Sequence, residues 1–160
     1  MAGRLDDVAM HDGMHEDVTA AFPSFFEALR EARAHDPQGK TLVHCEAGVS
    51  RSATLVVAGL MERSQGRFYE TFCEVRAKRA EVLVNVGFAT QLQRLERRWH
   101  PAPEAGAPSS LAKYLRQVCA APVDVAILEE VLQRYDHDAV RTLETIFGGE
   151  IPRVVQGVRR

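Results

Sequence analysis

The chain has 160 residues, of which 46% are hydrophobic, and it carries a formal net charge of −2. This length and hydrophobic content suffice for one domain with a buried core. The small negative charge gives no electrostatic basis for binding nucleic acid, and no apolar run reaches the roughly 18 residues that a membrane span requires.

The first predicted elements are a short strand and an amphipathic helix. The apolar run at residues 8–10 is typical of a strand. Over residues 18–32, apolar side chains recur every three or four positions, and this period predicts a helix. The helix is expected to begin near Thr19 or Ala20, because Pro23 lacks a backbone N–H and is tolerated only in a first turn. The loop between these two elements contains Asp12.

The same loop contains two histidines. His11 and His15 are four positions apart, a spacing that occurs in some metal sites. They flank Gly13 in a predicted loop, where this spacing does not place both side chains on one face as it does in a helix. We therefore predict exposed loop histidines, and neither a metal nor another cofactor.

Residues 44–52, with the sequence HCEAGVSRS, are the most informative part of the chain. The preceding residues 40–43 are a short apolar, β-branched run typical of a buried strand. The following residues 52–61 are apolar enough to form a buried helix. The segment between them is therefore predicted to be a tight loop, in which backbone N–H groups and a helix N-terminus favour a bound anion.

The residue types in this loop suit the cleavage of a phosphate ester. At a helix N-terminus beside a cation, Cys45 is expected to be ionised, because the pKa of such thiols falls to roughly 3.5–7.5. Arg51 lies six positions later, and its guanidinium can hold two phosphate oxygens. Gly48 allows a positive φ and a close approach of the backbone to phosphate. The predicted phosphate-binding residues are Glu46, Ala47, Gly48, Val49, Ser50 and Arg51.

Three neighbouring side chains have further predicted roles. Ser52 is expected to hydrogen-bond the sulfur of Cys45, and His44 is expected to orient the loop from behind. Glu46 adds negative charge beside the nucleophile, so its side chain is expected to point away from the pocket. If the loop had no catalytic role, Cys45 would be a small buried hydrophobe at the end of a strand.

The spacing of Cys45 and Arg51 resembles the Cys-x5-Arg signature of the cysteine-based protein phosphatases, and HCEAGVSRS most resembles the dual-specificity phosphatases. The resemblance covers about residues 7–99, and it includes residues 85–92, NVGFATQL, which look like one of the family's later helices. In this family an aspartate general acid lies on a loop upstream of the nucleophile, before a helix that opens with phenylalanine. The resemblance implies that Asp12 is this acid. The nearby alternatives are Asp7 and Asp17.

The resemblance implies a phosphatase that hydrolyses phosphotyrosine, phosphoserine or phosphothreonine in proteins. Cys45 would attack phosphorus while Asp12 protonates the leaving oxygen. Asp12 would then act as a base on the water that hydrolyses the cysteinyl-phosphate. The predicted catalytic residues are Cys45, Arg51, Asp12, Ser52 and His44.

The family has several strands and a helix before its acid loop, whereas only eleven residues precede Asp12 here. The predicted fold is therefore α/β with an N-terminally incomplete, reduced cysteine-phosphatase-like core. This core would contain a central parallel strand at residues 41–44, the phosphate-binding loop and helices. A small all-helical extension would follow at the C-terminus.

A second hypothesis is a catalytically impaired phosphate-binding or adaptor protein, that is, a pseudophosphatase. In this hypothesis the loop still captures phosphate, the missing strands misplace the acid, and the C-terminal helices bind a protein partner. The presence of Cys45, Arg51 and Asp12 favours the enzyme, because a binding protein has no need of a nucleophile.

The composition changes after the predicted catalytic domain at residues 1–99. Residues 100–110 are rich in proline and alanine, as in a linker. Residues 111–148 have the apolar period of a helical extension, and residues 149–160 form a basic tail. The predicted helices of the extension are 111–119, 125–135 and 139–147, the last beginning after an N-cap at Asp138.

The extension weakly resembles the CUE and UBA classes of three-helix ubiquitin-binding modules at residues 122–124 and 128–132, Asp138 and Leu143. Residues 120–122 are Ala-Ala-Pro, where these modules have Met-Phe-Pro. Ubiquitin or another protein is thus a candidate partner of residues 111–148, and a plain helical extension is the alternative.

The cysteines bear on the cellular compartment. Cys45, Cys73 and Cys119 are too few and too scattered for a disulfide framework. A catalytic thiolate also needs a reducing compartment. The expected location is therefore the cytoplasm or the nucleus, and the expected partner is a phosphoprotein substrate rather than nucleic acid or a membrane.

Overall fold

The computed structural model of the chain describes residues 8–103, 106–119 and 123–156, with the backbone alone for Val154. Within these ranges the regular elements are helical. They are α1 (Phe22–His35), α2 (Arg51–Ser64), α3 (Phe68–Lys78), α4 (Val86–Glu96), α5 (Ser110–Val118), α6 (Val125–Arg134), α7 (Ala139–Ile146) and the 3-10 turns Thr19–Ala21 and Arg153–Val155. In this part of the chain, no helix combines the length and the apolar character that crossing a membrane requires.

Helices α1 and α2 form the first packed pair. A 3-10 turn at Thr19–Ala21 leads into α1, and Pro23 lies in the first turn of α1, as predicted. The two helices approach closely at Gly59, where a Cβ atom would lie 2.8 Å from Leu29 and 3.1 Å from Phe25. The absence of a side chain at Gly59 therefore permits this packing.

The predicted strands are wrong for the described residues. Residues 8–10 and 40–44 lie in irregular backbone, and no strand is found in the ranges that the structure covers. A strand is stabilised by hydrogen bonds to a neighbouring strand, and no described segment pairs with either run. The side chain of Leu42 is 84% exposed, so the segment before Cys45 is not the buried central strand that its apolar sequence predicts.

Helix α4 lies at the centre of the core and supports three other helices. The first N–H groups of a helix have no partner within it, and polar side chains of α4 accept hydrogen bonds from such groups. The bonds are Phe68 N to Glu96 at 2.7 Å, Leu111 N to Gln93 at 2.8 Å and Ala139 N to Thr90 at 3.2 Å. The N-termini of α3, α5 and α7 are therefore fixed to one helix.

The C-terminal helices share the hydrophobic core with the N-terminal part of the chain. Tyr114 of α5 is fully buried, with its ring centroid 5.2 Å from that of Phe68 and 4.8 Å from that of Phe72. Its hydroxyl donates a hydrogen bond to the carbonyl of Val84. Helix α5 therefore packs against α3 and the segment before α4, and the division of the chain into a catalytic domain and a separate extension stays a prediction.

Replacing Tyr114 with phenylalanine is expected to lower the free energy of unfolding by about 1–3 kcal/mol, because the buried carbonyl of Val84 loses its hydrogen bond. Urea denaturation would measure the change. Tyr135→Phe is the matched control, since the Tyr135 hydroxyl has no hydrogen bond within the described structure, and its expected effect is below about 0.5 kcal/mol. Equal losses in the two variants would contradict the prediction.

Candidate active site

The loop of residues 44–50 folds around the sulfur of Cys45. The backbone N–H of Gly48 donates to Sγ at 3.2 Å, and Sγ lies 3.3 Å from the hydroxyl oxygen of Ser52. Gly48 has a φ of +66°, a left-handed conformation that glycine adopts without strain. Helix α2 begins directly after the loop, at Arg51. Its N-terminus thus adds a field that favours negative charge at the sulfur.

The pKa of Cys45 is lowered from its ordinary value of 9.0. Partial burial disfavours the thiolate, but hydrogen bonds from Ser52 and from the backbone N–H groups of Gly48 and Val49 outweigh this effect. The fraction of thiolate at neutral pH is therefore larger than for a free cysteine, and the thiolate is the nucleophilic form.

Replacing Ser52 with alanine is expected to raise the pKa of Cys45, because it removes the largest of the stabilising hydrogen bonds. Alkylation of Cys45 by iodoacetamide should then shift to higher pH, with a several-fold lower rate at pH 7. Mass spectrometry of the Cys45 peptide would follow the reaction, and the half-buried Cys73 provides an internal reference.

Ser64→Ala is the matched control for this experiment. Ser64 lies at the other end of α2, where its hydroxyl donates to the carbonyl of Leu60. The alkylation profile of Cys45 is expected to be unchanged in this variant. A profile that also stays unchanged in Ser52→Ala would refute the role of the Ser52 hydroxyl.

Arg51 combines weak contacts with one unsatisfied donor. Its Nη2 lies 3.2 Å from the carboxylate of Glu46, and its Nη1 lies 3.5 Å from the carbonyl of Met10. Its Nε is buried and has no hydrogen-bond partner in the described structure. The Glu46 side chain is 88% exposed, so this ion pair is solvated and weak. The arrangement leaves Arg51 available to an anion.

The contact between Glu46 and Arg51 differs from the prediction. The Glu46 side chain was expected to point away from the pocket, and it is exposed, but its carboxylate folds back onto the guanidinium. The attraction between opposite charges accounts for this position. A phosphate dianion would compete with Glu46 for Arg51.

Asp12 lies against the phosphate-binding loop. Its Oδ1 accepts a hydrogen bond from the Ser50 hydroxyl at 2.7 Å and another from the Asn85 side-chain amide at 2.8 Å. Asn85 is fully buried and caps helix α4 by accepting from the N–H of Phe88 at 2.9 Å. The structure thus brings Asp12 to the loop that carries Cys45, across 38 positions of the sequence.

The other candidates for the acid are placed differently. Asp17 is exposed, and its carboxylate accepts hydrogen bonds from the hydroxyl and the backbone N–H of Thr19 at 2.6 and 2.9 Å. These bonds lower the pKa of Asp17 and so favour its ionised form, whereas a general acid must carry a proton. Asp7 lies outside the described residues.

His44 does not pack behind the loop as predicted. Its side chain is exposed, and it forms no hydrogen bond within the part of the chain that the structure covers. The segment that precedes it is also largely exposed and irregular, so it does not enclose the ring. The structure therefore provides no contact for the proposed orienting role of His44.

Two residues that contact the loop or Asp12 were not predicted from the sequence. Arg79, at the C-terminal end of α3, donates from Nε to the carbonyl of Gly48 at 3.2 Å. Asn85 links Asp12 to helix α4. Both lie more than thirty positions after Cys45 in sequence, and spacing within a motif cannot reveal such contacts. The only local signal was at Asn85, a residue type favoured directly before a helix.

Metal-binding side chains do not cluster in the described residues, where no group of three or more His, Cys, Asp or Glu could hold an ion. A separate cleft of about 500 Å³ lies between the loop that contains Asp12, helix α4 and helix α7. It is bordered by His15, Gln91 and Arg141, among others, and by none of residues 44–52.

The chain was compared with known protein families. The model of the family described as "Dual specificity phosphatase, catalytic domain" matches residues 4–98. The matched segment contains the loop around Cys45, the loop around Asp12 and helices α1 to α4.

Several characterised proteins are similar to this chain. A protein-tyrosine-phosphatase MKP1 of Arabidopsis thaliana is 34% identical over 115 residues, which cover 72% of this chain and 14% of the relative. Dual specificity protein phosphatase 5 of Rattus norvegicus is 36% identical over 64% of this chain and 26% of its own length. Dual specificity protein phosphatase 19 of Mus musculus is 34% identical over 54% of this chain and 38% of its own length. The chain therefore spans less than half the length of each of these relatives.

Proposed function

The chain belongs to the dual-specificity phosphatase family, and we propose that it hydrolyses phosphate monoesters of tyrosine, serine or threonine in proteins through a cysteinyl-phosphate intermediate. The observation that carries the proposal is the hydrogen-bonded sulfur of Cys45, with its lowered pKa, in the loop that also presents Arg51. A protein that only binds phosphate gains nothing from an activated thiolate.

The first proposed step is the attack of the Cys45 thiolate on phosphorus. A sulfur–phosphorus bond forms while the bond from phosphorus to the ester oxygen breaks. Arg51 would hold two of the equatorial oxygens and balance their charge. Its buried Nε–H has no partner in the described structure, so a phosphate oxygen would supply the missing acceptor.

Asp12 is the proposed proton donor to the leaving oxygen. Two hydrogen bonds hold its Oδ1, from Ser50 and from Asn85, which leaves Oδ2 as the oxygen that carries the proton. In the second step Asp12 would take a proton from water as the water oxygen attacks phosphorus. The sulfur–phosphorus bond then breaks, inorganic phosphate leaves, and Ser52 stabilises the released thiolate. These steps draw on no cofactor.

Steady-state hydrolysis of a small aryl phosphate by the purified protein tests the proposal. The expected result is turnover that orthovanadate inhibits, with phosphate attached to the Cys45 peptide after a rapid acid quench. A folded protein that binds vanadate without turnover would overturn the catalytic proposal.

A phosphate-binding protein without catalysis is the second candidate function. The observation that favours it is the irregular, largely exposed segment 40–44, which gives the nucleophile loop no strand to rest on within the described structure. In that case phosphate would still bind at Arg51, and the hydrolysis assay would be negative. The same experiment therefore separates the two candidates.

The proposed chemistry also bears on location and partners. A catalytic thiol must remain reduced, so the cytoplasm or the nucleus is the proposed compartment. Ubiquitin binding by residues 111–148 has no support from the similar proteins. Residues 120–122, where the sequence departs from the CUE and UBA pattern, lie outside the described residues.

A further inference from the structure

The segment that carries Asp12 has no regular structure of its own. Residues 11–18, here called the acid loop, contain neither helix nor strand. Within the described residues, individual contacts between the acid loop and its neighbours therefore hold the backbone of Asp12 in place. Any residue that makes such contacts can decide where the carboxyl group of Asp12 lies.

Helix α4 holds the acid loop through the side chain of Gln91. The Oε1 of Gln91 accepts a hydrogen bond from the N–H of Val18 at 2.8 Å, and its Nε2 donates to the carbonyl of Glu16 at 2.7 Å. Gln91 is half-buried, and both ends of its amide are used on the backbone of one loop. It thus fixes the loop on both sides of Asp17.

A backbone turn connects the segment held by Gln91 to the residue that follows Asp12. The N–H of Glu16 donates to the carbonyl of Gly13 at 3.1 Å, so the backbone held by Gln91 is closed onto the residue next to Asp12. Gly87 of the same helix adds a steric contact, because a Cβ atom there would lie 1.8 Å from the carbonyl oxygen of Met14. The acid loop therefore lies directly on the surface of α4.

We infer that Gln91 is a positioning residue for the proposed proton donor Asp12. This inference rests on the proposed phosphatase function. Gln91 has no hydrogen bond to residues 44–52 in the described structure, so its loss removes no direct contact of the nucleophile or of the phosphate-binding loop. The attack of Cys45 on an ester with a good leaving group needs little help from an acid, whereas a poor leaving group depends on the proton.

The test compares two aryl phosphates, one that releases a strongly acidic phenol and one that releases a weakly acidic phenol. In Gln91→Leu, kcat/KM for the weakly acidic phenol is expected to fall roughly 10- to 100-fold, and kcat/KM for the strongly acidic phenol less than about twofold. The pH profile for alkylation of Cys45 should stay unchanged.

Gln93→Leu is the matched control. Gln93 lies on the same helix and accepts a backbone hydrogen bond from Leu111, so its replacement removes a similar bond that does not touch the acid loop. Its effects on the two substrates should be equal. If Gln91→Leu does not fold, Gln91→Glu provides the same comparison, because it keeps the acceptor for Val18 and loses the donor to Glu16.

Different results would overturn the positioning role of Gln91 and the proposed phosphatase function. A uniform loss on both substrates in Gln91→Leu, or no loss on either, would overturn the positioning role while leaving the phosphatase proposal in place. Absence of turnover by the unsubstituted protein on both substrates would overturn the proposed function, and the role of Gln91 with it.

Discussion

Replacing Cys45 with serine is expected to lower the hydrolysis of an aryl phosphate by roughly 10³-fold or more. The thiolate of Cys45 is stabilised by Ser52 and by the N–H of Gly48, and a serine hydroxyl in the same place stays protonated at neutral pH. The variant keeps Arg51, so it should still bind vanadate. Steady-state kinetics and a vanadate titration of the same protein sample would measure both properties.

Cys73→Ser is the control for the loss of a thiol as such. Cys73 is half-buried in α3, where its thiol contacts Gln117 at 4.0 Å and hydrogen-bonds with the side chain of Tyr69. Its replacement should leave turnover close to that of the parent protein. Turnover that survives in Cys45→Ser would place the nucleophile elsewhere in the molecule.

Replacing Asp12 with asparagine is expected to lower kcat/KM for the weakly acidic phenol by about 10²- to 10⁴-fold. Asparagine can still accept the hydrogen bonds that Ser50 and Asn85 donate to Oδ1, so the surrounding structure should persist. It has no acidic proton to give, however. The loss should therefore be much smaller for the strongly acidic phenol.

Asp17→Asn distinguishes this assignment from its nearest alternative. Asp17 contacts Thr19 at the start of the 3-10 turn, and its carboxylate is exposed. Its replacement should change turnover by less than about twofold. A larger loss in Asp17→Asn than in Asp12→Asn would show that the acid has been assigned to the wrong residue.

Much of the candidate site was predictable from sequence because it is local. The loop of residues 44–52 and the start of α2 follow from a few adjacent residues, among them Gly48 with its positive φ. The C-terminal helices were also predicted to within about one residue at each end, since apolar periods and caps such as Asp138 are local signals.

The rest of the fold and of the site depends on contacts between residues that are far apart in sequence, which the spacing of motifs does not reveal. Residues 41–44 have the composition of a strand, but a strand forms only if another segment pairs with it, and none does so among the described residues. The contact of Arg79 with Gly48 joins residues 31 positions apart. The packing of α5 and α7 against α4 could not be predicted either. The side chains of α4 that accept their hydrogen bonds look like ordinary polar residues in the sequence.

The position of the acid loop on helix α4 has a consequence for folding. Asp12 and Asn85 are 73 positions apart, and Glu16 and Gln91 are 75 positions apart. Loop-closure entropy opposes such distant contacts until the intervening chain is ordered. The two hydrogen bonds of the Cys45 sulfur, by contrast, span seven and three positions. We therefore expect the hydrogen bonds of the Cys45 sulfur to form before those of Asp12 during folding.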